Sequence, residues 1–315
     1  MNILITGIGG FTGSHLAEYL LDDFESIYGT IRGRCRQTSF IDHIKDKLTL
    51  LECDLTDYNS IQATIEESQP DYIFHLAAQT FVPTSWRAPQ ETMNTNILGT
   101  LNLLEAVRKS YFSPRILICG SSEEYGMVNQ DELPIKETNE LRPLSPYGVS
   151  KVAEDLLGYQ YYKSYGMEIV RTRAFNIIGP RSGEKIVSAN FAKQIASMKT
   201  DLSKPLEVGD LSSIRDFNDV RDICIAYFRA LFRAKCGEVY NISTGIGHTI
   251  SDIITIYSQL SPIKFGIKID KTKLRPSDVP VLIGDSTKFR KETDWKPKYT
   301  FEQSLKDVLE YWRNQ

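Results

Sequence analysis

Tyr147 and Lys151 stand four residues apart in Ser145-Pro146-Tyr147-Gly148-Val149-Ser150-Lys151. On a helix, side chains at i and i+4 share a face, which puts an ammonium beside a phenol. A neighbouring cation favours phenolate and is expected to draw the tyrosine pKa down from its unperturbed value of about 10, so that Tyr147 works as an acid/base near neutral pH. The spacing is common in a chain with 16 tyrosines, and a solvated helix face produces it too. It gains weight from Gly120-Ser121-Ser122-Glu123-Glu124-Tyr125-Gly126 upstream. In an extended segment residues two apart point to the same side, so Ser121 and Glu123 are expected to face one substrate. A hydroxyl donor, a phenol and an ammonium suit proton-coupled hydride transfer at a carbon bearing oxygen. A carboxylate adds the ability to remove a proton next to a carbonyl. Glu124 is an adjacent rival for that carboxylate role, and a strand-end cap is the other reading of Glu123.

A second constellation handles phosphate. The apolar run Asn2–Thr6 leads into Gly7-Ile8-Gly9-Gly10-Phe11-Thr12-Gly13, in which Gly7, Gly10 and Gly13 fit G-x-x-G-x-x-G. A tight turn between strand and helix, with room for close backbone approach and free N–H groups at the helix start, is what a dinucleotide pyrophosphate requires. At the end of the second strand, Tyr28 to Cys35 contains no acid but does contain Arg32 and Arg34. A guanidinium fork matches a ribose 2′-phosphate, so NADP is expected over NAD, with a solvated basic loop as the plain alternative. Asp54, after the third strand, is placed to contact adenine.

The elements that must position these groups follow from periodicity. Strands are expected at 2–6, 26–31, 48–52, 72–76 and 115–119, with helices at 14–22, 59–68 and 96–110 between them. This alternation predicts an α/β fold, a Rossmann-type doubly wound parallel sheet covered on both faces. Beyond about Asn176 the alternation weakens into strand-like pieces at 205–208, 239–242 and 267–270 and a helix ending at Tyr311-Trp312. That predicts a dinucleotide-binding domain over 1–175 and a smaller mixed α/β substrate lobe over 176–315, partly interleaved with the first.

Together the motifs resemble the extended short-chain dehydrogenase/reductase family, along essentially the whole chain. The resemblance runs from the glycine turn through His75-Leu76-Ala77-Ala78, Asn96, Ser121, Tyr147 and Lys151 to Arg215-Asp216-Phe217, Tyr240-Asn241 and Leu274-Arg275-Pro276. Within it, Ala78-Gln79-Thr80-Phe81-Val82-Pro83-Thr84-Ser85-Trp86, the Ser121–Gly126 stretch and Leu274–Pro280 look most like the GDP-mannose 4,6-dehydratases and their relatives, the GDP-4-keto-6-deoxymannose reductases. The resemblance implies cofactor contacts from Gly7, Gly10, Phe11, Thr12, Gly13, Arg32, Arg34, Asp54, Leu55, Leu76, Ala77, Ala78, Tyr147 and Lys151. It implies nucleotide-sugar contacts from Gln79, Ser85, Glu123, Asn176, Arg181, Lys193, Arg215, Arg275 and Asp278. In the dehydratase cycle Tyr147 takes the 4-hydroxyl proton as hydride leaves, Glu123 removes the proton at position 5 and assists loss of the 6-hydroxyl, and the hydride returns to position 6. This is the leading expectation, the reductase the runner-up. A UDP-sugar 4-epimerase or decarboxylase and a non-catalytic redox sensor come after them. The chain departs from the dehydratases in being shorter and in carrying Ile177 where they have histidine after the asparagine. The family also implies a homodimer through a four-helix seam, to which Val152, Leu156 and Leu157 would contribute, although core packing gives the same pattern.

Composition sets the outer bounds. In 315 residues, Lys+Arg 37 against Asp+Glu 40 gives net charge −3, which points away from nucleic acid and anionic membranes. No apolar run reaches the roughly 20 residues of a membrane span, and Met1–Gly7 lacks the basic start of a signal peptide. Five scattered cysteines without CxxC spacing, and four histidines without ligand spacing, predict reduced thiols, a cytoplasmic setting and no metal site.

Overall fold

A computed structural model describes residues 1–33, 38–198, 204–270 and 279–315. Seven parallel strands form the main sheet, in the spatial order Val239–Ile242, Ile169–Ala174, Arg115–Ser121, Tyr72–His75, Asn2–Thr6, Ser26–Ile31 and Thr49–Glu52. The strand order reverses between Asn2–Thr6 and Tyr72–His75, which opens a crevice at their carboxyl ends. The inner strands are mostly buried on both faces, and Asn2–Thr6, Tyr72–His75 and Arg115–Ser121 are accordingly rich in Ile, Leu and Phe, whereas the edge strand Thr49–Glu52 leaves Thr49 and Glu52 exposed. One face packs on the Phe11–Leu20 and Val220–Arg233 helices. The other packs on Tyr58–Ser68, Gly99–Lys109 and Pro146–Tyr165.

The chain enters the first helix at Phe11, three residues earlier than the hydrophobic pattern indicates, because Gly10 serves as its N-cap. The glycine turn therefore runs straight into helical backbone, which leaves the first amides of that helix without intrahelical partners. Gly7 adopts φ +73°, and a Cβ there would lie 2.9 Å from the Ala77 Cα. A Cβ on Gly13 would lie 2.4 Å from the Gly7 carbonyl oxygen, so the packing of helix on turn excludes any side chain. Thr30 of the neighbouring strand holds the turn by accepting the Gly7 N–H at 2.9 Å.

The helix expected from Asn96 begins earlier too. Helical turns start at Pro89 and pass through a π turn at Asn94–Leu98 before Gly99–Lys109. Such single π turns aim one residue off the regular helical stripe. Here the residue is Asn96, which is buried. Its Oδ1 accepts the Gln79 N–H at 2.7 Å, and its amide nitrogen donates to the Gln79 carbonyl at 3.0 Å and to Ser150 Oγ at 2.8 Å.

Residues beyond 176 build a second layer. Ile214–Asp219 pairs with Gly247–Thr249, Val281–Leu282 and Asn176–Ile178, and a two-stranded piece joins Leu206–Val208 to Ile267–Ile269. Their apolar core contains Phe191, Ile253, Tyr257, Leu305 and Val308. Val220–Arg233, Val239–Ile242, Phe289 and Trp295 instead pack into the core of the main sheet. Among the described residues no helix is long and apolar enough to cross a membrane.

Candidate active site

Ser145 starts the helix that carries Tyr147 and Lys151. Its Oγ accepts the Gly148 N–H at 3.0 Å, and Pro146 occupies the first helical turn. A Cβ on Gly148 would lie 2.6 Å from the Glu123 carbonyl oxygen, so the helix start is pressed onto the loop that follows Arg115–Ser121. Asn96 ties the same helix to Gln79 through Ser150, whose hydroxyl donates to the Tyr147 carbonyl at 2.7 Å. The Ser121 hydroxyl, Lys151 and Glu123 all bear on the Tyr147 phenol. Ser121, Glu123, Tyr147 and Lys151 thus meet at the carboxyl end of the sheet.

The electrostatics differ from the expectation. Burial pushes the Tyr147 phenol above its ordinary pKa; Lys151 and Ser121 pull it back and Glu154 and Glu123 push it further. The expected net lowering does not occur in the protein alone, because the phenol is 7% exposed and its desolvation outweighs one ammonium. Burial also opposes the charge on Lys151, but the Glu154 carboxylate, 2.8 Å away, and Tyr147 outweigh it and leave the ammonium above its ordinary value. Burial pushes Glu154 itself up to about 7, against the pull of Lys151 and Thr100. Sequence reading had no reason to select Glu154, since i+3 spacing from a lysine occurs on many solvated helices.

The loop geometry corrects the argument for Glu123 and separates it from Glu124. Ser122–Glu124 is a 3₁₀ turn, so the alternation of an extended strand does not place Glu123; Ser121 Oγ instead accepts the Glu123 N–H at 3.2 Å. Glu124 is wholly buried. It accepts the Ser121 N–H at 2.7 Å and pairs with Arg173 at 2.9 Å, and Arg173 also holds Asp155. Glu124 is therefore committed to the loop, and the half-buried Glu123 is the carboxylate that bears on Tyr147.

The cofactor-side residues assemble around the crevice. Gly7, Gly10, Phe11, Thr12 and Gly13 form its floor, a cradle shaped by absent side chains that fits a pyrophosphate. Leu76, Ala77 and Ala78 follow the strand beside it, the first two donating their amides to Thr6 Oγ1 at 3.1 Å. Leu55 is buried against Gly99. Asp54 is exposed and accepts from the Thr56 amide and hydroxyl at 2.9 and 2.7 Å. Arg32 is exposed at the end of its strand, and Arg34 lies outside the described residues. The sequence shows no acid there, but Glu52 of the next strand brings its carboxylate against Gly33; only the strand pairing reveals it.

On the substrate side three expectations change. Ser85 is wholly buried and donates to the Val82 carbonyl at 2.7 Å, so it is a helix-internal contact with no face toward a ligand. The Gln79 side chain is taken up at both ends, donating to Thr92 Oγ1 at 3.0 Å and accepting the Phe81 N–H at 2.7 Å. Arg181, in a left-handed turn at φ +66°, points back to the Phe11–Leu20 helix. There it pairs with Glu18 and contacts His15, whose Nε2–H donates to the Pro180 carbonyl at 2.9 Å. Burial, reinforced by Arg181, lowers the His15 pKa to about 4 and keeps the ring neutral. Asn176 is half-buried in register with Phe217, and Arg215 is buried with its guanidinium donating to the Ile214 carbonyl at 2.9 Å. Lys193 is exposed, pairs with Glu184 and sits 5.4 Å over the Trp312 ring. Arg275 and Asp278 lie outside the described residues. Among the described residues no three His, Cys, Asp or Glu side chains gather into a metal-holding group.

The family model for GDP-mannose 4,6 dehydratase matches residues 4–308. The chain belongs to that family. It is 34% identical to the GDP-6-deoxy-D-mannose reductase of Pseudomonas aeruginosa over 99% of this chain and 97% of that one. It is 30% identical to the GDP-mannose 4,6-dehydratase of Vibrio cholerae, over 97% of this chain and 92% of the relative. Among solved structures, RMD from Pseudomonas aeruginosa complexed with NADPH superposes with a TM-score of 0.85 at 34% identity, covering 100% of this chain and 99% of that chain.

Arg181 gives a direct check on these placements. Arg181→Ala should lower the unfolding free energy in urea by about 1–2 kcal/mol, the scale of a charge-assisted contact that is partly screened. The KM for a nucleotide sugar should stay unchanged; a rise in KM with unaltered stability would return Arg181 to the substrate.

Proposed function

We propose that the protein reduces the 4-keto group of a GDP-linked 4-keto-6-deoxy sugar, with NADPH as the hydride source. The observation that carries this is the near end-to-end match to the reductase, 313 aligned residues at 34% identity, on a chain whose Ser121, Tyr147 and Lys151 suffice for one hydride delivery. The Vibrio dehydratase alignment spans 345 positions against a chain of 315, so that relative carries segments absent here. A bound NADPH supplies hydride to the carbonyl carbon. Tyr147 gives its proton to the carbonyl oxygen, Ser121 donates a hydrogen bond to the same oxygen, and Lys151 compensates the phenolate until solvent reprotonates it. Ketone, hydride and proton together make the alcohol.

Arg32 at the end of the second strand and the NADPH in the related solved structure support NADP over NAD. Asn176 and Arg215, on paired strands of the second lobe, are the described residues we assign to the sugar and diphosphate. The dehydratase is a second reading, favoured by Glu123, which stands near Tyr147 where a base for position 5 would be needed.

The two readings separate in one experiment. With GDP-4-keto-6-deoxymannose the purified protein should consume NADPH, and with GDP-mannose and no reductant it should yield no 4-keto product. Formation of that product would select the dehydratase, and Glu123→Gln should then abolish it.

We further propose that two copies associate through the catalytic helix. Val149, Leu156 and Tyr159 are exposed on it and, with Val152, repeat at i, i+3, i+7 and i+10 as one apolar stripe. Leu157, by contrast, packs into the core of the main sheet. Sedimentation should show a dimer that Leu156→Glu converts to monomer; an unchanged dimer would move the interface elsewhere.

A further inference from the structure

Behind Lys151 lies a file of buried polar groups that the reaction above does not use. Glu154 is 1% exposed and Lys151 4% exposed, and Glu154 Oε2 takes the ammonium at 2.8 Å. The other oxygen, Oε1, is buried without a partner of good hydrogen-bond geometry, and the Thr100 hydroxyl is the neutral donor that bears on this carboxylate. Thr100 Oγ1 lies 3.0 Å from His75 Nε2, and His75 Nδ1 lies 2.9 Å from Thr6 Oγ1. All of these residues are buried.

Counting hydrogens gives this file a direction. The Thr6 hydroxyl has two lone pairs, and the amides of Leu76 and Ala77 both donate to its oxygen at 3.1 Å. Its own hydrogen must therefore go to His75 Nδ1, which makes that nitrogen the acceptor and puts the ring proton on Nε2. Nε2–H donates to Thr100 Oγ1, and the Thr100 hydrogen is left for Glu154 Oε1. A neutral ring is what this order requires, and burial, helped by Lys151, lowers the His75 pKa to about 3.

We propose that Glu154 is a positioning residue: the Thr6–His75–Thr100 chain on one oxygen and Lys151 on the other hold its carboxylate, which fixes the ammonium and sets the charge balance at Tyr147. The chain begins at the Leu76 and Ala77 amides, so the cofactor crevice and the acid/base pair share one hydrogen-bonded backing. Facing Glu154 are Lys151, Tyr147 and Asp155 on its own helix, Cys119 on the Arg115–Ser121 strand and, through Thr100, His75 on the Tyr72–His75 strand. Asp155 is committed to Arg171 and Arg173. The inference rests on the assignment of Tyr147 and Lys151 as the acid/base pair and is independent of which sugar is turned over.

Its test needs no substrate. Near-ultraviolet phenolate absorbance is titrated for the wild type against Tyr147→Phe, and for Glu154→Gln against the double variant, so that subtraction isolates Tyr147. Removing the anion while keeping the ammonium should lower the Tyr147 midpoint by about one pH unit. An unchanged midpoint would show Glu154 to be mere packing. The second measurement uses unmutated protein, in case Glu154→Gln does not fold. In ¹⁵N-histidine spectra, only four histidines contribute. His75, identified through a His75 variant, should appear neutral with its proton on Nε2. A proton on Nδ1, or an imidazolium near neutral pH, would leave Oε1 without its donor and overturn the proposal. A wild type inactive on GDP-sugars would count against the proposed function and leave both titrations readable.

Discussion

An ammonium taken out of water must be answered by charge, and Lys151 is 4% exposed. Desolvating an unpaired ion costs several kcal/mol, so the surroundings have to be organised around it. Glu154 provides the counter-charge, and the phenol of Tyr147 also acts on the ammonium. Much of the local structure serves this arrangement. Ser145 and Pro146 fix where the helix starts, Gly148 lets it press on the catalytic loop, and the π turn aims Asn96 at Ser150. The second buried ionic group, Arg173 with Glu124 and Asp155, holds that loop from behind and keeps Ser121 in place.

The two halves of the chain are joined by comparable contacts. Arg181 reaches from the loop after Asn176–Ile178 to Glu18 on the Phe11–Leu20 helix, and Val220–Arg233 fills the core beneath the main sheet. Arg215 meanwhile sits on a strand paired to the one that follows the Leu274–Pro280 motif. A ligand bridging the lobes would therefore meet a crevice whose two walls are already braced against each other.

The sequence made the sheet, the glycine turn and the Tyr147/Lys151 pair legible, because each depends on short-range spacing: strand runs, glycines at fixed intervals, one helical turn. What it hid depends on neighbours distant in the chain. Glu123 and Glu124 are equivalent as letters; Arg173, some fifty positions on by rough count, decides between them. Ser85 and Gln79 carry polar side chains in a motif that resembles a substrate loop, and both are consumed by local hydrogen bonds. Arg181 follows a glycine and a proline, and its left-handed backbone turns it away from the sugar side. The sign of the shift at Tyr147 was out of reach for the same reason, since a cation at i+4 is visible in the sequence and burial is not.

The proposed function is redox chemistry at one sugar carbon, with Tyr147 moving the proton and the adjacent crevice holding the hydride source. That claim is tested most directly with NADPH deuterated at its transferable position and GDP-4-keto-6-deoxymannose as acceptor. Mass spectrometry and NMR of the product should find one deuterium, on carbon 4 of the sugar. A product without deuterium, or with the label on another carbon, would contradict the account.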